Sequence, residues 1–406
     1  MTISNNVIWE VQTVGSDDNG GGFVEGASGV DYSRQASAQK SGSDLTMHPS
    51  TNTMVQPVSG GVSSNDIGNI VNISSGTNWT AGFYEITAED GTYWTLDRSP
   101  AAAGEVNTAS YKMGGAFASP GRLTDVLEFY QTGAYIKAGT YTLTTATAGS
   151  GGPLEISRGN RIIGYETTRG DNGRPTISAG SVTGVTIITQ INEYINTFAF
   201  VKNLILDGNN GTSVNGIALK PNHGAAFNVK CVNCVNGFTS YGAFYQCVAS
   251  SCDVGFNAVT AYHSYASNCG TGFKVPHGPV RNCISYNNTN YGFWADNRYS
   301  SASAVGCIAA NNGSDGFYLH FTGYMQDCIS VGNGGYAYRT PNYGYCIRCA
   351  YYGNSSDFSL GSGSFNDEPI ALTADPFVNA ANGDFNINTS NGGGAALRST
   401  SYDLGG

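Results

Sequence analysis

The second half of the chain alternates apolar and polar positions in a pattern that recurs every 17 to 24 residues. Each of seven repeats carries a cysteine or an asparagine near its middle and closes on an aromatic residue. The repeats read VKCVNCVNGF, CVASSCDVGF, SYASNCGTGF, CISYNNTNYGF, CIAANNGSDGF, CISVGNGGYAY and CAYYGNSSDF. A unit this short cannot bury its own apolar face, so it must stack on its neighbours. Because the repeats are rich in Gly and Asn and too short for a strand plus a helix, the pattern predicts one coil of a parallel β-helix per repeat.

The repeats define three columns of side chains that are expected to stack from coil to coil. The first column is Val229, Cys247, Ser264, Cys283, Cys307, Cys328 and Cys349. The second column is Cys234, Cys252, Cys269, Asn288, Asn312, Asn333 and Asn354. The third column is Phe238, Phe256, Phe273, Phe293, Phe317, Tyr338 and Phe358. We expect the asparagines to bond one another at a turn and to satisfy backbone groups there, with contact to a glycan as the alternative.

All ten cysteines fall between Cys231 and Cys349. A disulfide framework is typical of small secreted domains, which this chain does not resemble. The pairs in CVNC and CIRC have the C-x2-C spacing of zinc ligands. They lie about five to six coils apart at about 4.8 Å per coil, so they cannot share one ion. The cysteines are therefore predicted to be small apolar fillers of the coil interior, with no metal and no cofactor.

Four segments are predicted along the chain. They are a β-rich N-terminal attachment domain over 1–115, a capping helix and linker over 116–133, the solenoid over 134–360, and closing strands with a Gly-rich tail over 361–406. In the first segment, the runs IGNIVNI, GFYEITA and YWTLDR have the composition of strands separated by turns. In the second, RLTDVLEFY has apolar residues at helical spacing, with Ser119 placed as N-cap and Pro120 as the first helical residue. Such a helix would cover the open end of the solenoid core.

Composition narrows the classes of function. Only 12% of the residues are charged, the net charge is −10 and the pI is about 4.9, which argues against a nucleic-acid partner. No apolar run of about 18 residues is present, so no membrane-spanning helix is expected. The first residues, MTISNNVIWEVQTVGSDD, lack a basic region followed by an apolar one, so no signal peptide is expected.

The segments AYIKAGTYTL, GYETTRGDNGRPTI and NLILDGNNG, with the rungs that follow, resemble right-handed parallel β-helix proteins of the pectate-lyase-like superfamily. The flanks WEVQTVGSDDNGGGF, ASGVDYSRQ and DPFVNAANGDF look like β-helix proteins of tailed bacteriophages. This resemblance implies an all-β fold and a location in the virion, after synthesis in the host cytoplasm. It also implies a homotrimer whose partners are other virion proteins such as the major capsid protein.

Members of the superfamily that cleave polysaccharides use clustered carboxylates, as calcium ligands or as an acid/base pair. Between 201 and 360 the acidic residues are Asp207, Asp253, Asp296, Asp315, Asp327 and Asp357. Counted from the cysteine of its own repeat, only the pair Asp315 and Asp357 shares a register, two coils and about 9.6 Å apart. Both are interpreted as turn residues rather than catalysts. His223, His263, His277 and His320 lack partner aspartates and are interpreted as turn or surface residues. No catalytic residue is assigned.

The repeats also hold more tyrosines than one interior column can use, namely Tyr286, Tyr291, Tyr299, Tyr324, Tyr336, Tyr343, Tyr345, Tyr351 and Tyr352. Exposed tyrosines are common at subunit interfaces and at surfaces that stack on sugars, and the interface is favoured here. The sequence therefore predicts a non-enzymatic virion structural protein, a capsid decoration (cement) protein. The alternative is a tailspike-like polysaccharide depolymerase or a receptor-binding tail protein, for which host surface glycan is the expected partner.

Overall fold

The computed structural model describes residues 3–127, 133–157, 159–191, 198–220, 224–275, 278–295, 302–320 and 322–399. The chain divides into two compact units. Unit 1 comprises Met1–Ser178 with Ile188–Leu204, and unit 2 comprises Ala179–Ile187 with Ile205–Gly406. The four segment boundaries inferred from the sequence remain predictions. In the described part, no helix is both long and apolar enough to cross a membrane.

The N-terminal strands form a closed antiparallel barrel in the order β3-β4-β7-β6-β5-β8. The strands before the solenoid are β1 (Val7–Val11), β2 (Gly22–Val24), β3 (Lys40–Met47), β4 (Met54–Pro57), β5 (Ile70–Gly76), β6 (Gly82–Glu89), β7 (Trp94–Leu96) and β8 (Ala109–Met113). The barrel core includes Leu45, Val71 and the fully buried Trp94. Residues alternate in and out along β8, as a barrel requires. The runs IGNIVNI, GFYEITA and YWTLDR are strands β5, β6 and β7, as predicted.

The solenoid strands of unit 1 begin beside the N-terminal strand. These strands are β9 (Gly133–Lys137), β10 (Thr140–Thr142), β11 (Leu154–Ile156), β12 (Arg161–Tyr165), β13 (Thr176–Ser178) and β15 (Ala199–Lys202). Strand β1 pairs in parallel with β9, which pairs in parallel with β12. The barrel end of the chain is thus joined to the first coil by a shared ladder of backbone hydrogen bonds.

The predicted capping α-helix is a shorter 3-10 helix, Pro120–Asp125. Pro120 does occupy its first turn, but the Ser119 side chain makes no cap hydrogen bond. Its hydroxyl donates instead to the Asp17 carboxylate at 2.6 Å, while the Ser119 backbone N–H donates to the other carboxylate oxygen at 2.8 Å. The last residues of the predicted helix, 128–132, lie outside the described residues. Asp17 therefore holds the Ser119 side chain away from the capping position expected for it. The other helices are the 3-10 turns Ser64–Asp66 and Ala380–Asn382 and the α-helix α1 (Gly394–Ser399).

Three strands per coil build the solenoid, and each pairs in parallel with the equivalent strand one coil on. The strands from here on are β14 (Thr186–Gln190), β16 (Ile205–Asp207), β17 (Asn215–Leu219), β18 (Gly224–Phe227), β19 (Lys230–Val232), β20 (Asn236–Tyr245), β21 (Val248–Ser250), β22 (Val254–Tyr262), β23 (Tyr265–Ser267), β24 (Thr271–Lys274), β25 (Gly278–Arg281), β26 (Ile284–Tyr286), β27 (Phe293–Ala295), β28 (Ala302–Val305), β29 (Ile308–Ala310), β30 (Phe317–Leu319), β31 (Tyr324–Gln326), β32 (Ile329–Val331), β33 (Tyr336–Thr340), β34 (Tyr345–Ile347), β35 (Ala350–Tyr352), β36 (Ser356–Leu360), β37 (Phe365–Asp367) and β38 (Ile370–Ala371). Sheet 1 contains β24, β27, β30, β33 and β36; sheet 2 contains β25, β28, β31, β34 and β37; sheet 3 contains β19, β21, β23, β26, β29, β32, β35 and β38. The long strands β20 and β22 run through both sheets 1 and 2, and their pairing shifts register between Ser240 and Ala243.

One residue with positive φ turns the chain from sheet 2 into sheet 3. In successive coils this corner is Gln246, His263, Asn282, Gly306, Asp327 and Arg348, with φ between 49° and 62°. The first-column residue follows at once and points inward. A residue in the left-handed region interrupts the alternation of inward and outward side chains along the strand. One such residue is therefore enough to make the corner. The corner explains why each cysteine of this column has the same place in its repeat.

The C-terminal segment folds back over the outer face of sheet 3, and we call it the strap. It contains the antiparallel pair β39 (Phe377–Asn379) and β40 (Asp384–Ile387), followed by α1. Phe377 and Leu397 are each 2% exposed and pack with Ile329 and Val331 of sheet 3. The Phe385 ring also contacts the rings of Tyr265 and Tyr286, so two coils further back are covered as well. The predicted closing strand pair is present, and its role is to bury an apolar sheet face.

Candidate binding surface on the solenoid

The predicted third column is a continuous aromatic stack inside the coils. The ring centroids of consecutive members, from Phe238 to Phe358, lie 4.5 to 5.5 Å apart, with planes within 22° of parallel. Phe256, Phe273, Phe293 and Phe317 are at most 1% exposed. The Tyr338 hydroxyl, buried in the same stack, lies 2.8 and 2.7 Å from the carbonyl oxygens of Cys328 and Ala350. This column is therefore core packing and is closed to any ligand.

The asparagine column is a hydrogen-bonded ladder that faces inward. Asn288, Asn312 and Asn333 are each 2% exposed, and Asn354 ends the series half-buried. The side-chain oxygens of Asn312, Asn333 and Asn354 each accept two bonds from the asparagine one coil earlier. Asn312 Oδ1, for example, receives the backbone N–H of Asn288 at 3.1 Å and its Nδ2 at 2.8 Å. Asn312 Nδ2 in turn donates to Asn333 Oδ1 at 2.8 Å. The amide stacking predicted from the sequence is present. Because these side chains bond one another inside the coils, they are not placed to contact a glycan.

The cysteines fill the interior as free thiols, and all ten are buried. First-column thiols donate to backbone carbonyls of their own coil, as Cys283 does to Arg281 at 3.3 Å and Cys349 to Ile347 at 3.4 Å. Burial raises the pKa of the Cys231 thiol well above its ordinary value. Within the described residues, no three His, Cys, Asp or Glu side chains come together as metal ligands. The thiols of Cys247, Cys307 and Cys328 are packed in the same way, and each contacts the backbone carbonyl two residues earlier.

The acidic residues of the solenoid hold turns and cations in place. Asp207 accepts bonds from Asn209 and Asn233 at 2.8 and 3.0 Å. Asp327 receives both Nε and Nη2 of Arg348, each at 2.8 Å, so the corner residues of two adjacent coils form a bidentate pair. This pair was not predicted from the sequence. Cross-coil pairing was missed because partners one coil apart are about 21 residues apart in the chain.

The register that the sequence assigned to Asp315 and Asp357 is wrong. The rings of Phe317, Tyr338 and Phe358 align across strands, and Asp315 precedes its ring by two residues whereas Asp357 precedes its ring by one. Neighbouring strand positions face opposite sides of a sheet, so these carboxylates do not share a column. The error arose because counting from the cysteine ignores one extra residue in the turn before Phe317. Asp296, His223 and His277 lie outside the described residues, and His263 is an exposed corner.

A strip of cationic and aromatic side chains runs along the outer face of sheet 1. Lys274, Trp294, Tyr318 and Arg339 occupy one outward position in four consecutive coils. They point outward because their neighbours along β27 and β30 are buried and side chains alternate. Tyr291, from the turn before β27, lies 5.7 Å from both Trp294 and Tyr318. We call these five residues the outer strip.

The cations at the two ends of the outer strip lie over its rings. Lys274 Nζ is 4.6 Å from the Trp294 ring centroid, and the Arg339 guanidinium is 4.9 Å from that of Tyr318. Arg339 is also 3.4 Å from Asp315, whose side chain is only 4% exposed while that of Arg339 is 40% exposed. Sequence analysis singled out Tyr291 as a surplus tyrosine but missed Lys274, Trp294, Tyr318 and Arg339. The signal available was the outward position of each repeat, one residue after the third-column ring.

His320 lies next to the outer strip and has an unsatisfied buried atom. Its ring is 6.3 Å from that of Tyr318, at 76° to it. Its Nδ1 is buried and has no hydrogen-bond partner in the described structure. A buried polar atom without a partner is uncommon in proteins and often marks the place of a water or ligand. The strip therefore offers cations and apolar ring surface within one stretch of surface, and the buried His320 Nδ1 is not part of that surface.

The stacked coils, the interior ladders and the single-residue corners define a parallel β-helix with a barrel-like N-terminal part. No protein-family model matches the sequence, and no curated protein matches it either. Solved structures with a similar fold include pectate lyase Pel9A, at 14% identity over 64% of this chain and 81% of that chain, with a TM-score of 0.37. The A-module of mannuronan C-5 epimerase AlgE4 from Azotobacter vinelandii matches at 12% identity over 61% and 90%, with a TM-score of 0.35. ORF18 of Geobacillus virus E2 matches at 12% identity over 71% and 66%, with a TM-score of 0.34. At these identities the likeness concerns the solenoid fold alone.

Proposed function

We propose that the chain is a non-enzymatic structural protein of a tailed-phage virion, a capsid decoration protein that assembles as a homotrimer. The observation that carries this proposal is the engagement of the solenoid carboxylates. Asp207, Asp315 and Asp327 each accept bonds that fix a turn or a cation. A glycosidase needs two carboxyl groups that face one substrate. These three carboxylates are committed to the fold instead.

An exposed aromatic patch near the C-terminal coils supports assembly with a second copy. Tyr343, Tyr345 and Phe365 are 52%, 46% and 51% exposed, and the last two lie one coil apart with ring centroids 6.3 Å from each other. Large aromatic side chains are enriched at subunit interfaces, and exposed apolar patches mark interaction sites. In the proposed trimer this patch faces a neighbouring subunit. The N-terminal barrel would then contact the major capsid protein.

Measurements of location, of assembly state and of activity on polysaccharide test this proposal. Mass spectrometry and imaging of purified particles should find the protein on the capsid, and light scattering should give the mass of a trimer. Incubation with host capsular polysaccharide or lipopolysaccharide should release no new reducing ends. Release of oligosaccharide would refute the non-enzymatic role and favour the depolymerase alternative. Absence of the protein from particles would refute the virion role.

A second function, glycan binding without cleavage, is favoured by the outer strip. A receptor-binding tail protein needs a surface that meets sugar rings with apolar area and sugar hydroxyls with polar groups. Trp294, Tyr318 and Tyr291 provide the first, and the two cations of the outer strip provide the polar groups beside them. Retention of the protein on immobilised host polysaccharide, and loss of retention in Trp294→Ala, tests this function.

A further inference from the structure

The ends of the outer strip differ chemically from its middle. Lys274 and Arg339 are three strand steps apart, or about 14 Å at about 4.8 Å per step. The positions between them are occupied by the uncharged rings of Trp294, Tyr291 and Tyr318. The strip therefore carries two positively charged side chains whose backbone positions are about 14 Å apart, with apolar surface between them.

Lys274 and Arg339 each lie over an aromatic ring whose face a sugar could contact. A cation over an aromatic face at an exposed site contributes only about 0.5–1 kcal/mol. The Arg339–Asp315 contact is long for a charge-assisted hydrogen bond, at 3.4 Å, and the buried Asp315 carboxylate keeps the Tyr336 backbone N–H as a partner at 2.8 Å. A charge-assisted bond from either cation to a ligand carboxylate is stronger than these contacts. A bound acid would thus draw the cation off its ring and free the ring face for an adjacent sugar.

We propose that the outer strip binds an acidic heteropolysaccharide whose acid groups are separated by neutral sugars, at about the 14 Å spacing of Lys274 and Arg339. This inference rests on the glycan-binding function proposed above and adds the ligand class. A glycan with an acid on every sugar would place carboxylates over the uncharged rings, beside the buried Asp315 carboxylate. A neutral glycan would leave both cations on their rings. Both classes should therefore bind more weakly.

The test compares four probes on the full chain by isothermal titration calorimetry. They are gellan oligosaccharides, with one glucuronate in each four-sugar repeat, polygalacturonate oligosaccharides, with an acid on every sugar, neutral dextran, and poly-glutamate as a non-sugar polyanion. Gellan should bind at least about tenfold more tightly than the others. Its affinity should fall as sodium chloride is raised, because the cations are exposed and screened.

Variants locate the binding on the strip. Lys274→Gln and Arg339→Gln should each weaken gellan binding about tenfold, and Trp294→Ala should weaken it about three- to tenfold. Lys230→Gln, which removes a half-buried lysine from sheet 3, is the matched control and should leave the affinity unchanged. Circular dichroism and the melting temperature confirm that each variant is folded, which is expected because all four side chains point outward.

Each alternative result has a defined meaning. Equal binding of polygalacturonate and gellan would overturn the spacing, and equal binding of poly-glutamate would show a plain polyanion site. If dextran binds as well as gellan and Trp294→Ala abolishes both, the charge selection is wrong while the glycan-binding function stands. If none of the sugars binds, both are overturned, and the virion structural role is unaffected.

Discussion

Replacing Asn312 by alanine would remove one rung of the buried amide ladder without changing the backbone. The side chain makes four hydrogen bonds: it accepts from the backbone N–H and the Nδ2 of Asn288, and it donates to Asn333 Oδ1 and to the Ser285 carbonyl. At 2% exposure, water cannot readily replace these partners. The Asn288 backbone N–H would lose its acceptor in the next coil, which is the Asn312 side-chain oxygen.

The expected loss of stability follows from these bonds. Hydrogen bonds contribute about 0.5–1.5 kcal/mol each, so the variant should lose about 2–6 kcal/mol of unfolding free energy. Domains are stable by only about 5–15 kcal/mol, so the loss should move the transition well outside experimental error. The control is Asn257→Ala, whose outward side chain makes one long contact of 3.5 Å to Asn236. It should lose less than about 1 kcal/mol.

Urea unfolding followed by far-UV circular dichroism measures both variants, and amide hydrogen exchange reports on Asn288 itself. The midpoint of Asn312→Ala should fall well below that of Asn257→Ala, and the Asn288 amide should exchange faster. If the two midpoints coincide and the Asn288 amide stays protected, the ladder does not stabilise the coils and the reasoning fails.

Three further predictions concern the strap, the thiols and a surface carboxylate. Deleting the chain from Leu372 onward should expose Ile329 and Val331 to solvent. The truncated protein should therefore bind the dye ANS strongly and aggregate, which light scattering detects. A monodisperse product with unchanged ANS fluorescence would contradict the burial role of the strap. None of the ten cysteines should react with Ellman's reagent until the protein is unfolded in guanidinium, because all are buried; rapid reaction of the native protein would show that the coils open. The backbone N–H groups of residues 166–168 hold the pKa of Asp171 below its usual range, so this carboxylate stabilises unit 1 above the unfolded-state pKa of about 3.9 and ceases to do so as the pH falls through the lower folded-state pKa. Asp171→Asn should therefore melt below the wild type at pH 7 and approach it in strong acid; a constant difference in melting temperature at all pH values would contradict this.

The solenoid could be predicted from the sequence because its interior contacts repeat in the chain. Cys283, Asn288 and Phe293 recur one coil later as Cys307, Asn312 and Phe317, and each repeated side chain packs on its own copy. A contact between equivalent residues leaves a periodic trace in the sequence. The stacked rings, the amide ladder and the buried thiols were all expected on this ground.

Features formed by non-equivalent residues left no such trace. The strap contacts sheet 3 through side chains such as Phe385 that have no repeated counterpart, and only its strand pairing was predicted. The Ser119 hydroxyl, expected to cap a helix, donates instead to Asp17, a residue 102 positions away in the chain. The outer strip was missed because Lys274, Trp294, Tyr318 and Arg339 are chemically different residues at one position. Only their alignment on adjacent strands shows that they belong together.

The single-residue corner between sheets 2 and 3 divides each repeat into a fixed and a variable part. From the residue after the corner to the closing ring, such as Cys307 to Phe317, the separation is always nine or ten residues. From that ring to the next first-column residue, as from Phe293 to Cys307, it ranges from eight to fourteen. Insertions are thus confined to the part of each coil that follows sheet 1. The solenoid itself can lengthen only by duplication of a whole coil, which adds about 4.8 Å. The number of coils and the length of the segments that follow sheet 1 can therefore change independently of each other during evolution.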